Sequence, residues 1–186
     1  MWRRTRYAFA ILTLLINSNS LFAQNYLRLT ECEITFMSVA DLEIIKASTN
    51  NVAGILDLNT GKFAFRLTMS SFDGFNNPKQ KEHFREKFIE TDKFPDATFE
   101  GKIVDGLDLG KEGARSVRVK GILNIHGVSV EKLIPIDLVV DNSSVKFVAS
   151  FNVLLDEHKI KVPKIVRYNI AEEISVDVLG TFTSNK

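Results

Sequence analysis

The sequence predicts one mainly β domain, an antiparallel sandwich or closed barrel, with a helix attached. Three observations carry this. Apolar and polar residues alternate at period two in six segments, the pattern of strands with one buried face. Short connections rich in Asn, Asp and Gly separate several of them. Residues 78–90 break the rhythm and take helical spacing instead.

The first strands, over 33–39, 42–48 and 51–58, alternate irregularly. Residues 63–69 are cleaner and put Phe63, Phe65, Leu67 and Met69 on one face. Residues 97–104 turn Phe99, Gly101 and Ile103 inward, with Thr98, Glu100 and Lys102 outward. Residues 116–125 bury Val117, Val119, Gly121, Leu123 and Ile125 opposite Arg118 and Lys120. Residues 134–140 and 145–153 continue the pattern with Ile134, Ile136, Leu138 and Val140, then Val145, Phe147, Ala149, Phe151 and Val153. The last strand carries Ile174, Val176, Val178, Gly180 and Phe182. Asn59–Lys62 and Asp141–Ser144 read as hairpin turns, and 105–115 as an exposed loop. Pro135 lacks an N–H, so its strand needs a bulge or a free edge there.

The helix has a start signal. Asn77 suits the N-cap, Pro78 suits the first helical position, and Phe84 and Phe88 share a face. A second helical or irregular stretch is expected at 163–172, after Pro163 disrupts the alternation.

The N-terminus reads as a secretory signal peptide. Arg3, Arg4 and Arg6 precede the apolar run 7–16, and Leu21-Phe22-Ala23 places cleavage after Ala23. The run is about half of the roughly 20 residues a membrane-spanning helix needs. The expected mature domain is 24–186, periplasmic or secreted. Losing three arginines leaves 24 − 3 = 21 basic residues against 23 acidic, a net charge of −2. That balance gives no electrostatic footing for nucleic acid or for an anionic membrane surface. Cys32 is the single cysteine, which excludes an intramolecular disulfide.

Catalytic and metal signatures are missing from the pattern. His83, His126 and His158 have no ligand spacing with one another or with Cys32. Ser70-Ser71 lacks a partner constellation, and no Gly-x-Ser-x-Gly occurs. We therefore expect no enzyme, metal or cofactor. A transmembrane barrel is disfavoured by outward Arg66, Glu100, Lys102, Arg118, Lys120 and Lys146, since charges at bilayer depth cost about 2–4 kcal/mol each.

The candidate site is the inward row itself: Phe63, Phe65, Leu67, Phe99, Leu123, Ile125, Phe147, Phe151 and Val176. These side chains either fill a dry core or wall a lumen, because a small barrel has room for its own side chains or for one ligand. Gly101 and Gly121 on the same rows favour a lumen by leaving volume unfilled.

Three segments resemble the YceI-like family of exported lipid-binding proteins. Residues 83–103, HFREKFIETDKFPDATFEGKI, are similar to its helix, aromatic turn and Pro-x-x-x-Phe strand entry, here Pro95 and Phe99. Residues 121–128, GILNIHGV, resemble its Gly-x-Leu-x-x-x-Gly-Val hairpin. Within 54–73, Gly54, the Asn59–Gly61 turn and Ser70-Ser71-Phe72-Asp73 follow its layout. The resemblance implies an eight-stranded, lipocalin-like antiparallel barrel with a short helix beside it. It also implies a tunnel for an isoprenoid or other long-chain lipid, and no catalytic residues. Residues 152–166, NVLLDEHKIKVPKIV, depart from the family's Asn-Arg-x-x-Phe-Gly-like segment. Two alternatives stay open on the residues alone: a filled structural or interaction barrel, and an enzyme acting on a bound lipid.

Overall fold

The computed structural model describes residues 26–106, 109 and 111–184. The signal peptide expected at 1–23 lies outside the described residues. Nine strand segments form one antiparallel sheet: β1 (Tyr26–Val39), β2 (Ile44–Thr49), β3 (Val52–Asp57), β4 (Lys62–Thr68), β5 (Asp96–Ile103), β6 (Gly113–Ile125), β7 (Val128–Asp141), β8 (Ser144–Leu154) and β9 (Glu173–Ser184). The first strand pairs with the last from Leu27↔Ser184 to Met37↔Ser175, which closes the sheet into a barrel. β2 and β3 both pair with β1 and together make one interrupted stave, so the wall has eight staves. Closure removes the open edges that an antiparallel sheet otherwise exposes.

The irregular alternation of the first staves has a structural cause. The β1–β9 register shifts between Leu29 and Glu31. Leu27 and Leu29 pack in the core before the shift, whereas Ile34, Phe36 and Ser38 face the interior after it. The neighbouring stave breaks at Asn50-Asn51. Its interior positions change from Ile45 in β2 to Val52 and Leu56 in β3. A bulge adds one residue and flips every later side chain to the other face.

Hairpins follow the turn chemistry. The Asp57 carboxylate accepts from the Asn59 and Thr60 amides, and Gly61 takes φ +65°. β6 and β7 are joined by His126 and Gly127, both left-handed at φ +53° and +70°. The long connection before β6 ends at Gly113 rather than at 115, so β6 starts earlier than the alternation indicates. Pro135 occupies an edge, not a bulge. The β6–β7 register runs unbroken through Arg118↔Pro135, while β7–β8 pairing stops at Ile136↔Ala149. Beyond that point β7 and β8 part, and a turn at Asp156–His158 packs against both strands.

The helix α1 (Pro78–His83) is capped as expected: the Asn77 side chain accepts from the Gln80 amide at 3.0 Å. The helix does not continue as α to residue 90. A π-helical turn spans Phe84–Phe88, closed by the Ile89 N–H donating to the Phe84 carbonyl. The wider turn lets Phe84, Phe88 and Ile89 all reach the barrel interior.

The barrel has two unlike ends. At the end holding the 57–62 and 141–144 hairpins, Leu27, Leu56, Val117, Val140, Val145 and Phe182 form a close-packed core. At the other end, α1 and its flanks join a second cluster in which Phe36, Phe72, Phe75 and Phe84 pack ring against ring at 5.1–5.9 Å. Arg66–Asp96, Arg118–Asp105 and Lys120–Glu131 ion pairs decorate the outer wall. No helix among the described residues is long and apolar enough to cross a membrane.

Candidate functional site: an apolar lumen with a polar mouth

Alternation sends every second side chain of each stave into the barrel, yet these side chains do not fill it. A cavity of about 550 Å³ remains, within the usual size range of small-molecule sites. It runs from Leu56, Val145 and Phe182 at the packed end to Glu43, His83 and Asn169 at the other. Phe65, Phe99, Phe151 and Val176 point inward but are only half-buried. In a closed wall, that residual accessible surface is cavity surface.

All nine residues of the inward row border this cavity: Phe63, Phe65, Leu67, Phe99 and Leu123 from β4, β5 and β6, and Ile125, Phe147, Phe151 and Val176 from β6, β8 and β9. Sequence reasoning missed Ile34, Phe36, Phe72 and Phe84, which close the lumen toward the helix. The Phe84 position was legible from helical spacing. Phe36 was hidden by the bulge in β1.

The glycine expectation needs correcting. Gly101 and Gly121 oppose each other across β5 and β6. A Cβ at Gly121 would sit 2.5 Å from the Glu100 carbonyl oxygen, and one at Gly101 2.2 Å from the Lys120 carbonyl. These glycines permit close approach of two backbones instead of simply leaving a void. Where hollowness does depend on glycine, it acts through a ring. Phe147 lies over its cross-strand partner Gly180, where a Cβ would meet the ring at 2.5 Å. Laid against the wall in this way, Phe147 packs on Phe65 and Phe182 at centroid distances of 5.7 and 5.4 Å.

The mouth is polar and assembled from three remote segments. One Glu43 carboxylate oxygen accepts from Gln80 Nε2 at 2.5 Å and from Asn76 Nδ2 at 3.4 Å. The other accepts from Asn169 Nδ2 at 3.3 Å. Ser38 Oγ accepts from the Ala171 amide at 2.9 Å. The β1–β2 hairpin, the helix start and the 166–171 segment thus meet over the opening. No local pattern in the sequence signals this convergence.

The histidines behave differently from one another. His83 is exposed at the mouth. His126 faces two acceptors, the His158 carbonyl at 3.2 Å from Nδ1 and the Glu90 carboxylate at 3.1 Å from Nε2. Lys93 first, and His126 second, hold Glu90 below the ordinary carboxylate range. His158 is fully buried, with Nδ1 donating to the Val128 carbonyl at 3.1 Å, and burial pushes its pKa down. This pair staples the 126–128 turn to the Asp156–His158 turn that fills the gap between β7 and β8. Burial also pushes the Cys32 thiol up to about 11, so it is a packing residue rather than a nucleophile. Among the described residues, no group of three or more His, Cys, Asp or Glu is placed to hold a metal.

A closed antiparallel barrel around a hollow apolar lumen defines a lipocalin-like architecture. Residues 28–182 match the YceI-like domain family, and the chain belongs to that family. Among solved structures, a polyisoprenoid binding domain from Saccharophagus degradans implicated in plant cell wall breakdown superposes with a TM-score of 0.74 at 12% identity, covering 87% of this chain and 99% of that one. BcnA of Burkholderia cenocepacia gives 0.67 at 14% identity, covering 81% and 95%. The Campylobacter jejuni YCEI protein gives 0.55 at 16% identity, covering 98% and 94%. At such identities these likenesses concern the fold. No curated protein matches the sequence significantly.

Proposed function

We propose that this protein is exported, is cleaved after Ala23, and binds a long isoprenoid-like lipid in its lumen, sequestering or carrying it. The observation that carries the reading is the cavity of about 550 Å³ walled by apolar side chains inside a closed barrel. A tail burying about 600 Å² of apolar area gains roughly 15 kcal/mol, against an association and ordering cost of about 4–15 kcal/mol. The polar head then lies at the mouth, near Glu43, Gln80 and Asn169. The polyisoprenoid ligand named for the Saccharophagus domain supports the same chemistry here. Catalysis is not part of the proposal, because the Glu43 carboxylate is engaged by three amides and no nucleophile–base pair borders the lumen among the described residues.

Native mass spectrometry of the purified mature protein, before and after delipidation, tests this. The expected result is an extractable apolar adduct, or one-to-one reloading with a prenol such as farnesol or solanesol. A Val176→Trp variant, which obstructs the lumen, is expected to fail to load. No adduct and no prenol uptake by the wild type, or equal loading of Val176→Trp, would overturn the reading. A mass beginning at Met1 in the exported protein would overturn the cleavage.

A further inference from the structure

The end of the segment that departs from the family pattern, together with the residues that follow it, carries a surface that lipid binding does not use. Residues 158–171 contain Lys159, Lys161, Lys164 and Arg167 and no acidic residue. The segment sits on the rim of the mouth with two faces. Val166, Asn169 and Ile170 border the cavity. Ile165, on the Lys164–Val166 turn, points away and is 88% exposed, and Tyr168 is 47% exposed. The β1–β2 hairpin adds to this outward face: the Leu42 N–H donates to the Tyr168 carbonyl at 2.8 Å, and the Leu42 side chain is 73% exposed. Val39 and Ile44 flank it, each 57% exposed.

Five large apolar side chains in water around one opening carry a free-energy cost that burial elsewhere would relieve. The charges beside them favour one kind of cover. Lys161, Lys164 and Arg167 are exposed, and the Arg167 guanidinium lies 4.9 Å from the Tyr168 ring centroid. The acids near this rim are Asp41 at the hairpin tip, Asp156 and Glu157 just before the segment, Glu172 and Glu173 just after it, and Glu43; of these Glu157 is taken by Lys132, Glu173 accepts from Asn152, and three amides hold Glu43. We propose that this rim docks the mouth of the barrel on a bilayer surface bearing anionic headgroups. Leu42 and Ile165 enter the headgroup–acyl boundary, Tyr168 sits at the interface, and the three cations contact the headgroups. The opening then faces the phase from which an apolar molecule is drawn.

Co-sedimentation of the mature protein with vesicles tests the proposal. Vesicles of phosphatidylcholine alone are compared with equal parts phosphatidylcholine and phosphatidylglycerol. The wild type is expected to sediment with the anionic vesicles and to be released as the salt approaches 1 M, where the Debye length is about 3 Å. Each cation beside an anionic surface strengthens partition about fivefold, so replacing Lys161, Lys164 and Arg167 by Gln is expected to weaken it about a hundredfold. Leu42→Ser with Ile165→Ser is expected to weaken it more than tenfold. Failure to sediment with either vesicle, equal sedimentation with phosphatidylcholine alone, or indifference to both variants would overturn the docking. So would a concentration-dependent dimer that Ile165→Ser dissociates, since a second copy would then cover the face. Both variants alter side chains outside the lumen, so farnesol uptake from detergent is expected to be unchanged. Absence of uptake in every form while vesicle binding persists would count against the lumen reading and leave the docking intact.

Discussion

The hollow end and the packed end of the barrel must respond differently to the same truncation. Phe182 is 4% exposed and packs its ring on Phe65 and Phe147 at 5.5 and 5.4 Å. It caps the packed end of the cavity, yet nearly all of its side chain is in contact with protein, so its removal forfeits almost the whole of that burial, about 3–5 kcal/mol for Phe→Ala. Phe151 also borders the cavity, but it is only half-buried. Its truncation loses about half of the roughly 1.5–3 kcal/mol that full burial of such a side chain supplies, and enlarges a void already present. The expected cost in lipid-free protein is therefore about 0.75–1.5 kcal/mol. With a urea m-value near 2 kcal/mol/M, Phe182→Ala lowers the unfolding midpoint by about 1.5–2.5 M and Phe151→Ala by about 0.4–0.75 M. The assay is equilibrium urea unfolding of delipidated protein, followed by circular dichroism. Equal losses for the two variants would refute the reasoning, because Phe151 would then pack as a core residue and the lumen would be no lumen.

Two further outcomes follow from the same geometry. Gly121→Ala places a Cβ 2.5 Å from the Glu100 carbonyl oxygen, so the paired backbones of β5 and β6 must separate; overpacking of this kind costs about 1–3 kcal/mol, and an unchanged urea midpoint would contradict it. His158 is buried with its folded-state pKa below the ordinary 6.5. Below pH 6.5 the unfolded chain takes up a proton that the folded chain resists. The stability contributed by neutral His158 is thus full above that pH and declines as pH falls toward the depressed folded value. Asp57, Asp73, Glu90 and Asp105, all held below their ordinary values, lose their contributions only in the more acidic range of carboxylates. Urea midpoints measured from pH 7.5 down to 5 are expected to fall in the wild type and to flatten in His158→Gln; parallel slopes would sink the assignment.

The sequence alone determined which face of each regular strand is buried. Phe63, Phe65, Leu67, Phe147 and Phe151 could be placed inside because period two follows from the pleat whatever the strand pairs with. It also determined the Asn59–Gly61 turn and the Asn77–Pro78 helix start, since these depend on neighbours a few residues away. The motifs within 54–73, 83–103 and 121–128 extended that reading to the family and hence to a barrel. Tertiary structure decided the rest. Closure rests on β1 meeting β9 across some hundred and fifty residues of chain. The same inward phenylalanines would suit a filled core; the cavity of about 550 Å³ shows that they line a wall around open space, with Phe147 laid against that wall over Gly180. The mouth needs Glu43, Gln80 and Asn169 together, and the staple needs His158 beneath the 126–128 turn. Hydrophobic burial is non-directional. An alternating pattern therefore states that a side chain goes inside, while what it meets there depends on which distant segments the closed sheet brings to it.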